Sequence, residues 1–389
     1  MRIGFFSSSY PGVTGEGGIG TYTRNLAHAL AALGHGVHVL TPGDAGKTVE
    51  DGPVSVHLCR DDYFPVADRL VPGAGAGYRV GTAMARLVKR HGLDIVEFPN
   101  WGGVGLWYAA RRPAPLVVRL YTSAAESNLI DGVANARNAA WDVRRERWLS
   151  RTADALVTHS DAHRRQMAVE LGVDAARIAL IPLGIPLGDA FERPRNRSGE
   201  LTVVYLGRME KRKGTIDLFH AAPEVLRAVP EARFILIGAD RAHCPGGRTH
   251  ARYLEDEFPP EVRSRIRLAG RLPDDEVDRL LRSADVFVAP SLYESFGLIF
   301  VEAMRWGTPV VGTRAGGIPE IVEDGESGLL VSPGNPTELA GALIALLRDE
   351  ELRCRIGAAG RRRVESEFSA ERMAERAVAF YERAIGGRS

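Results

Sequence analysis

Short, almost uninterrupted apolar runs alternate with longer amphipathic stretches along nearly the whole chain. In the first half the runs fall at 2–6, 37–40, 95–98, 116–120, 155–158 and 178–181. Runs of that length and character are what strands buried on both faces look like. Between several of them, 21–32, 78–90, 135–150 and 162–171 carry apolar residues at helical spacing. Strands and helices in alternation predict a parallel sheet covered by helices on both faces. The pattern stops over 182–200, PLGIPLGDAFERPRNRSGE, where proline, glycine and scattered charge without a period read as a linker. It then resumes, with strands predicted at 201–206, 234–237, 266–268, 286–288, 310–311 and 329–331. The accompanying helices fall at 216–228, 274–282, 298–305 and 337–347, and 350–385 reads as almost continuous helix. The chain is thus expected to be α/β, with two successive Rossmann-like domains at 1–190 and 198–369. Ligands of open α/β sheets collect beyond the carboxyl ends of the strands, so the site is expected in a cleft between two such edges.

Composition narrows the class without changing the fold. At 389 residues the chain is long enough for two separate cores. With 45% hydrophobic and 25% charged residues it falls among ordinary soluble globular proteins. A formal net charge of +1 leaves no whole-molecule field to draw it to nucleic acid. Cys59, Cys244 and Cys354 follow no disulfide or metal spacing, which points to the reducing cytoplasm. The start, MRIGFFSSSYPG, is too short in its apolar part for a secretory signal and reads as a first strand. No run is long enough to span a bilayer, although peripheral membrane contact stays open.

The chemistry concentrates in the second half. In APSLYESFGLIFVEAMRW a strand runs into a short loop, and a helix is predicted to start near Phe296 and Gly297. The backbone N–H groups of Ser295, Phe296, Gly297 and Leu298 then stand at a helix N-terminus, where unpaired donors and the positive dipole end favour phosphate. Glu294 and Glu302 flank that start, so two carboxylates are available to accept hydrogen bonds from hydroxyl groups. The plainer reading makes Glu294 a cap and Glu302 a solvated helix residue. Earlier, LGRMEKRKG follows the first strand of the second domain, and Arg208 and Lys213 project over the same sheet edge. A departing diphosphate needs such positive charge, although a solvated basic turn, with Lys211 and Arg212 exposed, has the same sequence.

GRMEKRKG, ESFGLIFVEAM and GTRAGGIPEIVEDGESGLLV, in that order and at these separations, resemble glycosyltransferase family 4, of GT-B fold. Glu294 and Glu302 reproduce the family's Glu, seven residues, Glu motif. The resemblance covers nearly the whole chain and implies two Rossmann-like domains whose parallel sheets face each other across a cleft. It implies that Arg208 and Lys213 hold the donor diphosphate and that Glu294 contacts the donor sugar, with Glu302 on the ribose. It also implies that the amides of Phe296, Gly297 and Leu298 bind phosphate and sugar, and that Arg271 and Leu272 border the base. No metal ion and no cofactor is implied, and no Asp-X-Asp metal motif stands out. The last helix, 370–389, is expected to return and pack on the first domain.

In the first half, Gly15, Gly17 and Gly20 spell a literal Gly-X-Gly-X-X-Gly. They lie too far beyond the first strand for a dinucleotide fingerprint, and no acidic residue closes the second strand. The loop instead resembles the family's acceptor-side loop, in which Gly17 and Gly18 approach the donor. Asn100 and Trp101 follow a strand and are candidates for the acceptor pocket, Trp101 being equally suited to packing. Many relatives carry a His where Leu120 is here followed by Tyr121, so Arg119 and Tyr121 are acceptor-side candidates whose role the departure leaves open. His159 and His163 are expected to be solvated or near a helix cap, with Ser160 as the N-cap. His243, Cys244 and His250 lack a further ligand at suitable spacing, so no metal site is predicted there.

The expected function is transfer of a hexosyl group, with retention, from a nucleoside diphosphate sugar to an acceptor hydroxyl, UDP being the default carrier. A small soluble molecule or a glycan is the expected acceptor. A phosphorylase of the same fold and a catalytically degenerate nucleotide-sugar-binding protein are the alternatives.

Overall fold

The computed structural model describes residues 1–15, 17–61, 73–126, 137–188 and 199–387. The chain divides into two compact units, Met1–Pro186 with Ser369–Ser389, and Leu187–Phe368. Most of the expected linker, residues 189–198, lies outside the described residues.

The first unit holds an eight-stranded sheet. Its strands are β1 (Arg2–Phe6), β2 (Gly36–Pro42), β3 (Thr48–Asp51), β4 (Val54–Cys59), β5 (Ile95–Pro99), β6 (Leu116–Arg119), β7 (Ala155–Thr158) and β8 (Ile178–Leu180). Their order is β3-β4-β2-β1-β5-β6-β7-β8, so the chain reverses its direction of travel between β1 and β5. β3 pairs antiparallel with β4, and the other pairings are parallel. The hydrophobic pattern missed β3 and β4. β3 is a half-exposed polar edge, TVED, and β4 alternates as VSVHLC instead of running apolar. An Asp51-Gly52 turn with Gly52 at φ 59° joins them, a hairpin signal that the search for continuous runs passes over.

The second unit holds β9 (Leu201–Leu206), β10 (Ala232–Ile237), β11 (Ile266–Gly270), β12 (Val286–Val288), β13 (Val310–Thr313) and β14 (Leu329–Val331). Every pair is parallel, in the order β11-β10-β9-β12-β13-β14. The core of this unit is built on strand residues such as Val203, Phe234, Val286 and Val311, together with Leu218, Leu339 and Leu343 from the covering helices. Its switch point lies between β9 and β12. In a doubly wound sheet that is where loops diverge and leave a crevice.

The near-continuous terminal helix is in fact two helices, Glu350–Glu367 and Ala370–Gly386. Ser369 interrupts them: it is extended at φ −75°, ψ 153°, and its hydroxyl caps the second helix by accepting from Arg372 N. It also bridges to Ile185, and a side chain at Gly184 would run into the Ser369 carbonyl at 2.3 Å. The break coincides with the division between the units, and the last helix packs on helix Gly18–Ala32 of the first.

Candidate active site

The switch point of the second sheet gathers the predicted basic and acidic residues from two neighbouring strands. After β9 the chain makes a single tight turn, Lys211–Lys213, ending at Gly214 with φ 66°. A Cβ on Gly214 would lie 1.9 Å from the Pro290 carbonyl, so only glycine lets the β9 loop press against the β12 loop. Leu292 N donates to the Arg212 carbonyl at 2.8 Å and fastens the two loops together.

That approach buries an ion pair. Lys213 Nζ donates to Glu294 Oε1 at 2.5 Å, and Ser291 Oγ donates to the same oxygen at 2.9 Å. Arg212 stands 3.7 Å from Glu294 Oε2 and also 3.7 Å from Glu210 Oε2. Burial pushes the Glu294 carboxyl up, but Lys213 and Arg212 outweigh it and hold the group below the usual carboxylate range. Burial also lowers the Lys213 ammonium, against the opposing pull of Glu294. Arg208 is different: its side chain is 53% exposed, and among the described residues it pairs with Glu210, at 3.1 Å. The arrangement thus presents a half-exposed cation beside a buried charged pair.

A third loop, after β13, fixes the backbone of Glu294. Gly316, at φ 56°, passes so close that a Cβ would sit 2.0 Å from the Glu294 carbonyl, which accepts from Gly317 N at 2.8 Å. Thr313 Oγ1 donates to the Ser291 carbonyl at 2.5 Å. Gly297, at φ 108°, opens the helix Leu298–Met304. Phe296 is buried and meets Phe368 edge-on, 5.9 Å between centroids. Glu302, inside that helix, is half-buried, and its carboxylate accepts no hydrogen bond among the described residues. Burial pushes it up to about 7, Arg305 opposing and Asp278 and Asp274 adding to the rise. Arg271 is exposed and Leu272 half-buried, just past the edge strand β11.

In the first unit, Gly17 is extended and Gly18 opens the helix Gly18–Ala32, with Ser9 packed against Gly17 and Gly20. Two expectations change. Asn100 is wholly buried and is spent on the chain itself: its Oδ1 accepts from Tyr121 N at 2.8 Å and its Nδ2 donates to the Tyr121 carbonyl at 3.1 Å. Arg119 is also wholly buried, and its Nε donates to Glu97 Oε1 at 2.8 Å. Tyr22 hydroxyl donates to Oε1 at 2.9 Å and Tyr381 hydroxyl to Oε2 at 2.7 Å. These are interior contacts, made because a strand-borne guanidinium in a sheet core needs an acid partner. Tyr121 is half-buried and packs edge-on to Tyr22, and Trp101, next to Asn100 in sequence, is 46% exposed.

His159 and His163 are not solvated either. Their rings stack 5.0 Å apart in the interior, and His163 Nδ1 lies 2.6 Å from Thr158 Oγ1. Ser160 is the N-cap, as expected, accepting from His163 N. His250 is buried between Thr215 Oγ1 at 2.7 Å and Asp240 at 3.0 Å, a structural anchor for its insert. Sequence reasoning missed Arg212, Glu210 and Ser291 at the switch point. It also missed an apolar groove of about 400 Å³ in the first unit, walled by Trp107, Trp141, Trp148 and Arg144.

Residues 189–363 match the family model described as glycosyl transferases group 1, and residues 16–189 match that of glycosyltransferase family 4. A D-inositol 3-phosphate glycosyltransferase from Kineococcus radiotolerans is 30% identical, over 97% of this chain and 93% of that protein. An MMP alpha-(1->4)-mannosyltransferase from Mycolicibacterium hassiacum is 30% identical over 99% and 98% of the respective chains. Among solved structures, sucrose-phosphate synthase from Thermosynechococcus elongatus superposes with a TM-score of 0.79 at 24% identity, covering 99% of both chains. That last likeness is one of fold.

Proposed function

The chain belongs to glycosyltransferase family 4 and has the GT-B fold, and from that premise we propose that this hexosyltransferase uses a nucleoside diphosphate sugar, UDP-linked by default, and retains the anomeric configuration. The observation that carries the site assignment is the buried Lys213–Glu294 pair at the switch point of the second sheet, with Arg208 exposed beside it. Glu294 Oε1 is occupied by Lys213 and Ser291, whereas Oε2 has only Arg212 at 3.7 Å. That oxygen is the acceptor for donor-sugar hydroxyls. Arg208 swings from Glu210 onto the diphosphate, and Lys213 shares its charge between Glu294 and the β-phosphate.

Transfer breaks the bond from the anomeric carbon to the β-phosphate oxygen and forms one from the same carbon to the acceptor oxygen. The acceptor proton passes to the departing phosphate, on the same face, so no side chain is required as base. Arg208 and Lys213 stabilise the charge growing on the leaving diphosphate, the largest contribution a preorganised site makes. Glu302 takes the ribose, Arg271 and Leu272 border the base, and the amides of Ser295 to Leu298 face phosphate and sugar. In the first unit, Gly17 and Gly18 remain the donor-side candidates, and Trp101 and Tyr121 the acceptor-side ones. The relatives named for inositol phosphate favour a small polyhydroxylated acceptor over a lipid. No helix among the described residues is long and apolar enough to cross a membrane.

The test is nucleoside diphosphate release from UDP-, GDP- and ADP-sugars in EDTA, with a panel of polyol and sugar acceptors, and NMR of the product. One donor should turn over without metal and give an axial anomeric bond from an axial donor. An inverted product would overturn retention, and turnover that depends on inorganic phosphate would mark a phosphorylase instead.

A further inference from the structure

Three histidines that the transfer reading leaves unused come together in the first unit. His38 lies on β2, His57 on β4, and His91 ends the helix Ala74–His91. β2 and β4 are parallel neighbours, with Leu40 opposite His57. Residues two apart on a strand share a face, so His38 and His57 leave the sheet on the Leu40 side. Leu40 packs into one core cluster with Val88 of that helix, so the helix covers this face and its last residue supplies the third ring. The ring centroids are 4.4 Å apart for His38 and His91, and 5.3 Å apart for each of the other two pairs. One ring nitrogen from each histidine lies within 4.8 Å of the other two.

Two further observations concern the nitrogens themselves. His91 Nε2 is buried and has no hydrogen-bond partner. His57 Nδ1 lies 3.1 Å from Thr48 Oγ1 while its Nε2 faces His38 Nδ1 at 3.0 Å. A proton on Nδ1, donated to Thr48, leaves the Nε2 lone pair aimed into the cluster, the way an outer hydroxyl fixes the tautomer of a ligating histidine. Among the described residues no carboxylate hydrogen-bonds to any of the three rings. Three imidazoles pressed together without an acid, one with an orphaned nitrogen, cost more than apolar side chains in the same place. A shared cation removes that cost.

We propose that His38, His57 and His91 bind one divalent transition-metal ion through three imidazole nitrogens, the fourth position going to water. Nitrogen ligands select Zn²⁺, Co²⁺ or Ni²⁺ over Mg²⁺ and Ca²⁺, which take oxygen. Tetrahedral bonds of about 2.0–2.1 Å set ligand nitrogens about 3.4 Å apart, so side-chain rotations of about 1 Å close the cluster round the ion. Glu50 is the nearby acid and Arg2 and Arg90 the nearby cations, so the site binds its ion with little help from surrounding charge. The ion staples two strands to a helix in the unit that does not carry Glu294, and its role is to stabilise that unit.

The experiment uses the full chain without a polyhistidine tag, stripped of metal and titrated with Zn²⁺ against a chromophoric chelator. Expected are one Zn²⁺ per chain, a higher melting temperature, and a Co²⁺ derivative with visible bands of tetrahedral intensity. All three should be lost in the double variant His57→Ala/His91→Ala and kept in His243→Ala, a histidine outside the cluster. The single variant His91→Gln carries the same test if the double variant does not fold. No uptake of Zn²⁺ at micromolar concentration, uptake unchanged in the variants, or an equal response to Mg²⁺ would overturn the site.

Discussion

Each unit of this protein buries a carboxylate against a basic side chain near its switch point, and the pairs Glu97–Arg119 and Glu294–Lys213 differ in what they leave over. Glu97 sits within β5 and Arg119 ends β6. Tyr22 and Arg119 fill one oxygen and Tyr381 the other. Glu294 sits beyond the end of β12, with one oxygen taken by Lys213 and Ser291 and the other facing only Arg212 at 3.7 Å. A carboxylate borne on a strand, with a hydrogen bond to each oxygen, fixes structure. One carried past the strand end, half-satisfied, retains capacity for a ligand. Burial of charge alone therefore does not mark a functional site; in the reading proposed above, the less occupied oxygen is what sets Glu294 apart.

The strongest break of that contrast is Glu294→Ala. We expect transfer to fall by about 10³-fold or more, since leaving-group and sugar contacts are lost together. Melting should fall as well, because Lys213 is left buried without its acid. Turnover per folded molecule within tenfold of the parent would refute the assignment of Glu294. Next is Glu97→Ala, expected to cost about 3–5 kcal/mol in unfolding free energy by stranding Arg119. Its turnover per folded molecule should be close to unchanged, and a specific loss of turnover at full stability would erase the distinction between the two pairs.

A smaller effect sharpens the second pair. Arg208 is over half exposed and holds only Glu210, so Arg208→Ala should leave the melting temperature nearly intact. It should lower kcat by about 10²-fold, through weaker stabilisation of the departing diphosphate. A variant that melts early with normal kcat would mean Arg208 belongs to the fold and not to the chemistry.

What the sequence disclosed follows from where information is local. The strands read well because a sheet covered on both faces needs continuous apolar runs. The turn at 207–214 and the segment at 294–302 could be singled out because glycines and charges at short spacing stand in one stretch of chain, and the structure brings Lys213 and Glu294 together. The β3–β4 hairpin was invisible because a polar edge strand has no such run. Arg212 looked solvated because its burial depends on the β12 loop closing over it, which only Gly214 against Pro290 discloses. Glu97 with Arg119 and Tyr381 depends on strand register and on a helix that returns from the far end of the chain. A domain end at 369 and a last helix from 370 were legible, but the Ser369 cap that makes the break was overlooked because helical spacing persists across it.

Glu302 offers the finest test, because among the described residues its carboxylate accepts no hydrogen bond. Burial sets its folded pKa at about 7, above the unfolded carboxylate value, so the folded state disfavours its ionised form. Stability from this group is therefore full below the unfolded pKa and is lost as pH rises towards about 7. A ribose hydroxyl donating to the carboxylate favours ionisation, so donor binding should release a proton and tighten as pH rises from 6 to 8. The change cannot exceed about tenfold per pH unit for one proton. An intact sugar nucleotide is the right probe, because its esterified diphosphate does not titrate in this range. Affinity measured by calorimetry across that interval should show the slope in the parent and a flat profile in Glu302→Gln. The same slope in both would remove Glu302 from the ribose and leave Glu294 as the only acid contacting the donor.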